Sequence, residues 1–373
     1  MGCGMSSDGT PGRSDGDGQL APILDGAVAE NSRLPRELEA ERRIASDPAQ
    51  NLDDRLEAYE NIIDSEIGDT QLSRGRNIER ETGLRQIFLK FDGGNPTGTQ
   101  KDRIAFAQSM DAMRRGFDAI TGATCGNYGA ALAMASSFAG LRCIVYIPEG
   151  FHSGRTDEMR RYGAEIVASP GDYEAAVEAS REHARRDEIY DANPGGANLQ
   201  IQMRAYGEIA YEIYDELRDA PAAVAVPVSN GTTLAGIAKG FQSLYRRGKT
   251  SRIPRLIAGS SYRKNPIVDS YLKSLDECRN LDPSKIRETA VNEPLINWHS
   301  IDGDAALAAV RDSAGWAGYA SDRAMTGFAR MIRKSEGLSV LPASTAGLIA
   351  LLDGHRENEL VHDRYVVVLT GRR

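Results

Sequence analysis

The chain has 373 residues, of which 41% are hydrophobic and 26% charged, and its formal net charge at pH 7 is −8. This length exceeds one simple core and favours two domains or lobes of a globular protein. The negative net charge argues against a nucleic-acid partner. No apolar run reaches about 18 residues, so no membrane span is predicted. Four cysteines without a CxxC pair and five scattered histidines predict no metal site and reduced thiols, as expected of a cytoplasmic protein.

The N-terminal region is predicted to be a disordered tail over residues 1–30. Its first 19 residues are rich in Gly, Ser and Asp and offer little to bury. Residues 1–6 fit the loose pattern for N-myristoylation, but a flexible start of no consequence is the favoured interpretation. Residues 32–65 then carry apolar side chains at helical spacing and predict one or two amphipathic helices.

From Ile87 onward, short β-branched segments alternate with longer helical segments. This alternation is typical of an α/β fold with parallel sheets, in which ligands bind beyond the carboxyl ends of the strands. Residues 276–303 are irregular and predict a long connection over the surface or near the mouth of a site. The predicted strands cover residues 87–91, 119–121, 143–147, 165–168, 223–226, 256–258 and 365–369. The predicted helices cover residues 101–113, 127–138, 156–162 and 173–186.

The first loop of interest follows a strand at residues 93–103 and reads GGNPTGTQKDR. It does not fit a phosphate-binding P-loop, because Lys101 comes three residues after Gly98 instead of directly after it. A lysine in a cleft loses its proton easily, and the neutral amine can then form a Schiff base with a carbonyl. On these residues alone, a surface lysine paired with Asp102 is the favoured alternative.

Two further loops follow predicted strands and lead into helices. Residues 121–130, TGATCGNYGA, can hold a carboxylate through helix-start amides and Thr hydroxyls, although a plain helix cap at Asn127 is the simpler interpretation. Residues 227–236, PVSNGTTLAG, can form an anion cradle from backbone N–H groups. An ordinary turn rich in capping residues explains that segment equally well.

Taken together, the three loops resemble the signature of the fold-type II, or tryptophan synthase β-like, pyridoxal-phosphate enzymes, and in particular their threonine-synthase-like branch. Residues 95–103, NPTGTQKDR, resemble the family's Asn-Pro-Thr-Gly-Ser-Phe-Lys-Asp-Arg stretch. Residues 125–129, CGNYG, resemble its Ser-Gly-Asn-Thr-Gly loop, and residues 229–233, SNGTT, its glycine-rich phosphate loop. The ending VLTG at residues 368–371 is similar to that of threonine synthases.

The resemblance implies a two-lobed α/β fold with open parallel sheets and flanking helices. It implies a large lobe from residues 31–104 and 201–373 that binds pyridoxal 5′-phosphate, and a smaller mobile lobe from residues 105–200. Lys101 would hold the cofactor as a Schiff base and later move protons at the substrate Cα. The other implied cofactor contacts are Asn127 at the ring oxygen, Ser229, Asn230, Gly231, Thr232 and Thr233 at the phosphate, and Thr370 at the ring nitrogen. The implied contacts to the amino-acid substrate are Thr124, Cys125, Gly126 and Tyr128. Relatives are often homodimers, although these motifs do not encode the oligomeric state.

The departures from the family pattern lie on the substrate side. Gln100 replaces a Phe, Cys125 a Ser and Tyr128 a Thr. A Tyr at this position would narrow the pocket or place a phenol near the substrate. Pro194 is followed by Gly195, where threonine synthases usually have an arginine soon afterwards. The cofactor-side residues match the pattern, so the resemblance predicts the cofactor more firmly than the substrate.

The function implied first is that of a lyase acting on a small amino acid with a β- or γ-leaving group. The specific expectation is a threonine-synthase-like reaction, in which O-phosphohomoserine and water give threonine and phosphate. The alternative is β-replacement or elimination, as in a cysteine or cysteate synthase or a serine/threonine dehydratase. A third hypothesis is a pyridoxal-phosphate-binding protein without catalytic activity.

Overall fold

The computed structural model describes residues 36–124, 126–149 and 154–373. The predicted tail at residues 1–30, its myristoylation pattern and Cys125 lie outside these ranges. The described helices are α1 (Arg36–Ser46), α2 (Leu52–Glu66), α3 (Arg76–Thr82), α4 (Lys101–Arg114), α5 (Asn127–Ala139), α6 (Thr156–Arg161), α7 (Tyr173–Arg186), α8 (Leu199–Leu217), α9 (Thr232–Arg246), α10 (Pro266–Leu272), α11 (Gly303–Asp312), α12 (Asp322–Glu336) and α13 (Ala346–Glu357). The described strands are β1 (Leu72–Arg74), β2 (Ile87–Phe91), β3 (Ala119–Ala123), β4 (Arg142–Pro148), β5 (Glu165–Ser169), β6 (Tyr190–Asp191), β7 (Ala223–Pro227), β8 (Arg255–Ser261), β9 (Trp316–Ala320) and β10 (Tyr365–Leu369).

The strands form two sheets. The larger sheet has the order β1-β2-β10-β7-β8-β9 and is parallel except for β1, which pairs antiparallel with β2. The smaller sheet has the order β5-β4-β3-β6 and is parallel throughout. These open parallel sheets with intervening helices confirm the predicted fold class, whereas the lobe boundaries and the mobility of residues 105–200 stay predictions.

Most of the predicted elements are present with ends shifted by a few residues. The helix at Tyr173–Arg186 and the strand at Tyr365–Leu369 have the predicted ends. The predicted amphipathic region at residues 32–65 contains two helices in its described part, α1 and α2. Strand β9, with the sequence WAGYA, was not predicted, because two alanines and a glycine give little β-branched or alternating signal.

Helices α8 and α9 approach each other so closely that only glycine fits at the contact. A Cβ atom on Gly240 would lie 2.5 Å from the carbonyl oxygen of Gly207, and one on Gly236 would lie 2.6 Å from the Cβ of Tyr206. Contacts this short forbid a side chain on either glycine of α9. The N-terminus of α9, directly after the buried strand β7, is thereby held in a fixed position against α8.

A buried ion network joins β2, α4 and α8. The Arg103 guanidinium lies 2.8 Å and 2.9 Å from the two carboxylate oxygens of Asp92, and it also donates to Glu212 at 2.9 Å. Lys90, which is 1% exposed, contacts the same Glu212 carboxylate. Burial alone would raise the pKa of Glu212, but hydrogen bonds and charge from Arg103 and Lys90 lower that pKa to about 2.

The ion network predicts a large loss of stability when its shared carboxylate is neutralised. Glu212→Gln leaves the buried cations Arg103 and Lys90 without one partner charge, and we expect the free energy of unfolding to fall by about 3–5 kcal/mol. Denaturant titration followed by circular dichroism measures this change. Glu216→Gln, on the exposed face of the same helix, is the matched control and should stay within about 0.5 kcal/mol of the parent protein. Equal unfolding midpoints for the two variants would contradict the assigned role of the network.

Candidate functional site

One cavity of about 350 Å³ is lined by the loops that follow β2, β3, β7 and β10. The structure brings together at this cavity every predicted site residue that it describes. They are Lys101, Thr124, Gly126, Asn127, Tyr128, Ser229, Asn230, Gly231, Thr232, Thr233 and Thr370. A concave space of this size with convergent polar groups is typical of a small-molecule site, and the individual roles of these residues stay predictions.

Lys101 is the first residue of α4, and its amine lies in the cavity. Among the described residues the amine has no hydrogen-bond acceptor, and it lies 6.0 Å and 5.9 Å from the ring centres of Tyr128 and Tyr206. Desolvation lowers the pKa of Lys101 to about 8, against an opposing contribution from Asp302. About a tenth of the amine is therefore neutral at pH 7, far more than for an ordinary lysine, and this neutral form is the one that attacks a carbonyl.

The alternative interpretation, in which Lys101 is a surface lysine paired with Asp102, is wrong. The Asp102 side chain is fully buried and accepts hydrogen bonds from the backbone amide of Thr97, at 2.8 Å, and from its hydroxyl. Arg372 also stabilises this loop, because its guanidinium donates to the carbonyls of Pro96 and Gly93. Asp102 and Arg372 thus hold the loop before Lys101 from two sides.

The N-terminus of α9 begins at a glycine-capped turn in the wall of the cavity. Gly231 caps the helix with φ of +96°, and a Cβ there would lie 2.7 Å from the Cβ of Ala306, so the turn requires glycine. No side chain caps this end, and the first-turn amides have no carbonyl partner within the helix. Their partial positive charge is available to a phosphate.

The irregular connection at residues 276–303 packs on this turn. Asn297 donates to the side chain of Asn230 at 3.0 Å, and the Ser300 hydroxyl donates to the carbonyl of Ser229 at 3.0 Å. The hydroxyl of Thr232 donates to the carboxylate of Asp302. Sequence analysis predicted that this connection runs over the surface or near the mouth of a site, and the second alternative holds for residues 297–302. It missed Asn297, Ser300 and Asp302, which lie about 70 residues from their partners and in no recognisable motif.

Two hydroxyl groups meet at the loop that follows β10. The hydroxyl oxygens of Thr370 and Ser344 are 3.2 Å apart, and both residues line the cavity. The Ser344 hydroxyl also accepts the amide proton of Gly371 at 3.0 Å, and the carbonyl of Thr370 accepts the amide proton of Gln100. Thr370 is therefore tied to the lysine loop, and Ser344 is a neighbour that sequence analysis did not assign to the site.

The helix start at α5 presents a backbone turn and an aromatic ring to the cavity. The hydroxyl of Thr124 accepts the amide protons of Gly126 and Gly129 at 3.0 Å. The Tyr128 hydroxyl donates to the carbonyl of Ala192 at 2.6 Å and accepts from Gln108 at 2.7 Å. Because its one proton is already used, Tyr128 narrows the cavity with its ring instead of offering a free phenol.

Asn127 connects this helix start to the lysine loop. Its side-chain oxygen accepts a hydrogen bond from Arg155 at 3.0 Å, and the same guanidinium donates to the carbonyl of Thr97 at 2.8 Å. Arg155 also pairs with Glu158 at 2.8 Å. The guanidinium therefore bridges α5 and the loop that precedes Lys101.

Four carboxylates line the remainder of the cavity and are called the acidic wall here: Asp172, Glu174, Glu288 and Glu293. Desolvation raises the pKa of Glu174 and of Glu293 to about 7. Among the described residues that line the cavity, Lys101 is the only one with a basic side chain. The turn at residues 229–233, at the start of α9, is called the phosphate turn here after its predicted ligand. Apart from this turn and Lys101, the cavity therefore becomes more negative as the pH rises through about 7.

Within the described ranges, no group of three or more His, Cys, Asp or Glu side chains is placed to hold a metal ion. No helix in the same part of the chain is both long and apolar enough to cross a membrane.

Comparisons with known proteins agree with this geometry. The family described as "Pyridoxal-phosphate dependent enzyme" matches residues 63–371. A threonine synthase of Methanocaldococcus jannaschii is 29% identical over 81% of this chain and 74% of its own length. A threonine synthase of Synechocystis is 31% identical over 82% of this chain and 76% of its own length. A maize serine racemase structure superposes with a TM-score of 0.71 at 17% identity, covering 85% of this chain and 92% of its own. A threonine deaminase structure from Solanum lycopersicum superposes with a TM-score of 0.68 at 14% identity, covering 88% of this chain and 93% of its own. The structures show a shared fold, and the family match over most of the chain shows that it belongs to the pyridoxal-phosphate dependent enzymes.

Proposed function

We propose that the chain is a pyridoxal-phosphate dependent lyase that removes or replaces a leaving group on the side chain of a small amino acid. The observation that supports this most directly is the unpaired amine of Lys101 in the same cavity as the glycine-capped turn of α9. The first candidate reaction is threonine-synthase-like, in which O-phosphohomoserine and water give threonine and phosphate. The names of the relatives in Methanocaldococcus jannaschii and Synechocystis support this candidate.

The residues at the cofactor end fit pyridoxal 5′-phosphate. When bound, the cofactor withdraws electrons from the substrate and makes the Cα proton removable. The first-turn amides of α9 bind the phosphate, with the Thr232 and Thr233 side chains beside them. The neutral amine of Lys101 would hold the cofactor, and Nζ would be the atom that accepts and returns the Cα proton of the substrate. The partly lowered pKa of Lys101, about 8, suits both accepting and returning that proton.

The Thr370 and Ser344 hydroxyls supply a partner for the ring nitrogen. A hydroxyl, unlike a carboxylate, leaves that nitrogen largely unprotonated, so electron withdrawal is weaker and favours elimination and replacement over transamination. At the start of α5, the amides of Asn127 and Tyr128 orient the substrate carboxylate, because those of Gly126 and Gly129 already donate to Thr124. The ring of Tyr128, whose centre lies 6.0 Å from the Lys101 amine, limits the space for the substrate.

The acidic wall favours a second candidate, namely β-replacement or elimination on a serine-like amino acid whose leaving group is not a phosphate. Among the described residues that line the cavity, the one basic side chain is that of Lys101, which the cofactor would already use, so no described cation is left for a substrate phosphate. Negative charges brought together in a low-dielectric cavity repel strongly. Gly195, where an arginine is usual nearby in threonine synthases, points in the same direction.

Substrate turnover by the holoenzyme separates the two candidates. The first predicts threonine and inorganic phosphate from O-phosphohomoserine. The second predicts loss of acetate from O-acetylserine, with or without uptake of an added thiol, and little turnover of the phosphorylated substrate. If neither compound is turned over, and serine and threonine are not deaminated either, both candidates are contradicted and a cofactor-binding protein without catalysis is left.

The acidic wall also predicts a pH-dependent effect of one substitution. At pH 8, above its raised pKa of about 7, Glu293 is charged, and Glu293→Gln should lower KM for O-phosphohomoserine by about fivefold, which corresponds to about 1 kcal/mol of repulsion removed. At pH 6 Glu293 is mostly protonated, and the two proteins should differ little. Binding is measured from the change in cofactor absorbance if turnover is slow. The exposed Glu277→Gln is the control, and an unchanged KM at pH 8 would show that Glu293 does not face the substrate.

Covalent attachment of the cofactor is predicted to depend on Lys101. Lys101→Ala should abolish the near-visible absorbance band and the borohydride-fixed adduct detected by mass spectrometry, whereas the exposed Lys249→Ala should retain both. In the parent protein the rate of attachment should rise with pH and level off above about 8, because only the deprotonated Lys101 amine attacks the aldehyde. Retention of the adduct in Lys101→Ala would contradict the assignment.

Homodimerisation, a cytoplasmic location and closure of residues 105–200 over bound substrate stay predictions for this chain. They are implied by the family resemblance and by the cysteine pattern. Light scattering of the purified protein tests the first, and comparison of free with ligand-bound structures tests the last.

A further inference from the structure

Asp302 is a buried carboxylate directly beside the phosphate turn of α9. The residue is 5% exposed, and its side chain accepts the hydroxyl proton of Thr232. Its amide donates to the carbonyl of Asn230 at 3.0 Å. Its own carbonyl lies 2.9 Å from where a Cβ of Gly231 would be. Both the backbone and the side chain of Asp302 therefore contact the turn at residues 229–233.

Among the described residues, the groups that act most strongly on the charge of the Asp302 carboxylate are cationic or neutral. They come from three helices: Lys101 from α4, Arg181 from α7, and Lys239 with Thr232 from α9. Burial nevertheless outweighs these favourable contacts and holds the pKa of Asp302 above its ordinary value. The carboxylate therefore accepts a proton more readily than an exposed aspartate does.

A bound phosphate changes this balance. A phosphate dianion at the first turn of α9 would share Thr232 with the Asp302 carboxylate and would bring two more negative charges to a buried site. Lys101 would by then be attached to the cofactor and less able to offset the carboxylate. Protonation of Asp302 removes the repulsion and leaves its carbonyl oxygen free to keep the Thr232 hydrogen bond.

We propose that Asp302 is a proton-linked competitor of the cofactor phosphate, so that phosphate binding at the turn of α9 is accompanied by uptake of a proton at Asp302. The inference rests on the proposed phosphate-binding role of residues 229–233. It predicts that phosphate affinity falls as the pH rises. This trend is opposite in sign to the attachment rate at Lys101, which increases with pH.

A phosphorylated ligand without an aldehyde separates the two effects. Pyridoxine 5′-phosphate cannot bond covalently to Lys101, and its phosphate stays a dianion above about pH 7. The full chain, freed of cofactor, is titrated with it from pH 7 to 9 while the fluorescence of the tryptophans is followed; Trp298 lines the cavity. We expect the Kd of the parent protein to rise about tenfold or more over this range, and loss of the Lys101 charge near pH 8 contributes to that rise in both proteins.

The test variant is Asp302→Asn, which keeps an oxygen for the Thr232 hydroxyl but removes the charge. It should bind pyridoxine 5′-phosphate about tenfold more tightly than the parent protein at pH 9. Its affinity should depend less on pH than that of the parent protein, and the dependence that is left comes from Lys101, whose pKa is about 8. Its holoenzyme should also lose pyridoxal phosphate more slowly during dialysis at that pH. Asp312→Asn, an exposed change at the other end of α11, is the matched control and should behave as the parent protein does.

Two outcomes would overturn the proposal. One is an Asp302→Asn variant that binds pyridoxine 5′-phosphate no more tightly than the parent protein at pH 9. The other is equal tightening toward pyridoxine, which lacks the phosphate, because the effect would then not involve the phosphate. If neither protein binds pyridoxine 5′-phosphate at any pH, the phosphate placement at residues 229–233 fails as well. That result is distinct from failure of the Asp302 linkage alone.

Discussion

The position of the reactive amine depends on a buried guanidinium two residues away. Arg103 is held between Asp92 at the end of β2 and Glu212 on α8, and neither contact can be lost without leaving a charge unpaired in the interior. The first turn of α4 is therefore fixed relative to both the larger sheet and α8. Asp102 adds a second restraint through Thr97. A flexible lysine side chain thus starts from a backbone that is closely restrained.

The same helix α8 fixes the other end of the site. Gly207 of α8 contacts the backbone of α9 at Gly240, and the N-terminus of α9 is the phosphate turn. Because α8 binds Arg103 through Glu212 and packs on α9 through glycine, it sets the separation between the amine and the turn. A cofactor that is bonded at one end and hydrogen-bonded at the other requires such a fixed separation.

The sequence predicted those parts of the site that consist of one continuous segment each. The lysine loop and the turn at residues 229–233 lie between a strand and a helix, so order and spacing identified them together with the α/β fold class. Ser344 lines the cavity and Asp302 contacts Thr232 at its edge. Neither was assigned to the site, because both come from distant segments without a periodic pattern. For Tyr128, sequence analysis left two outcomes open. The contacts of its hydroxyl with Gln108 and Ala192, formed by other elements, decide between them.

Charge divides the cavity into two parts with different physical bases. The phosphate turn is positive through backbone amides, which survive most substitutions as long as Gly231 keeps the turn. The acidic wall is negative through side chains, and two of them, Glu174 and Glu293, change charge near neutral pH. Substitutions in the acidic wall therefore change the charge of the cavity without touching the backbone amides of the turn. The proposed cofactor end depends on the backbone of the loops, whereas the charge of the proposed substrate end depends on four side chains.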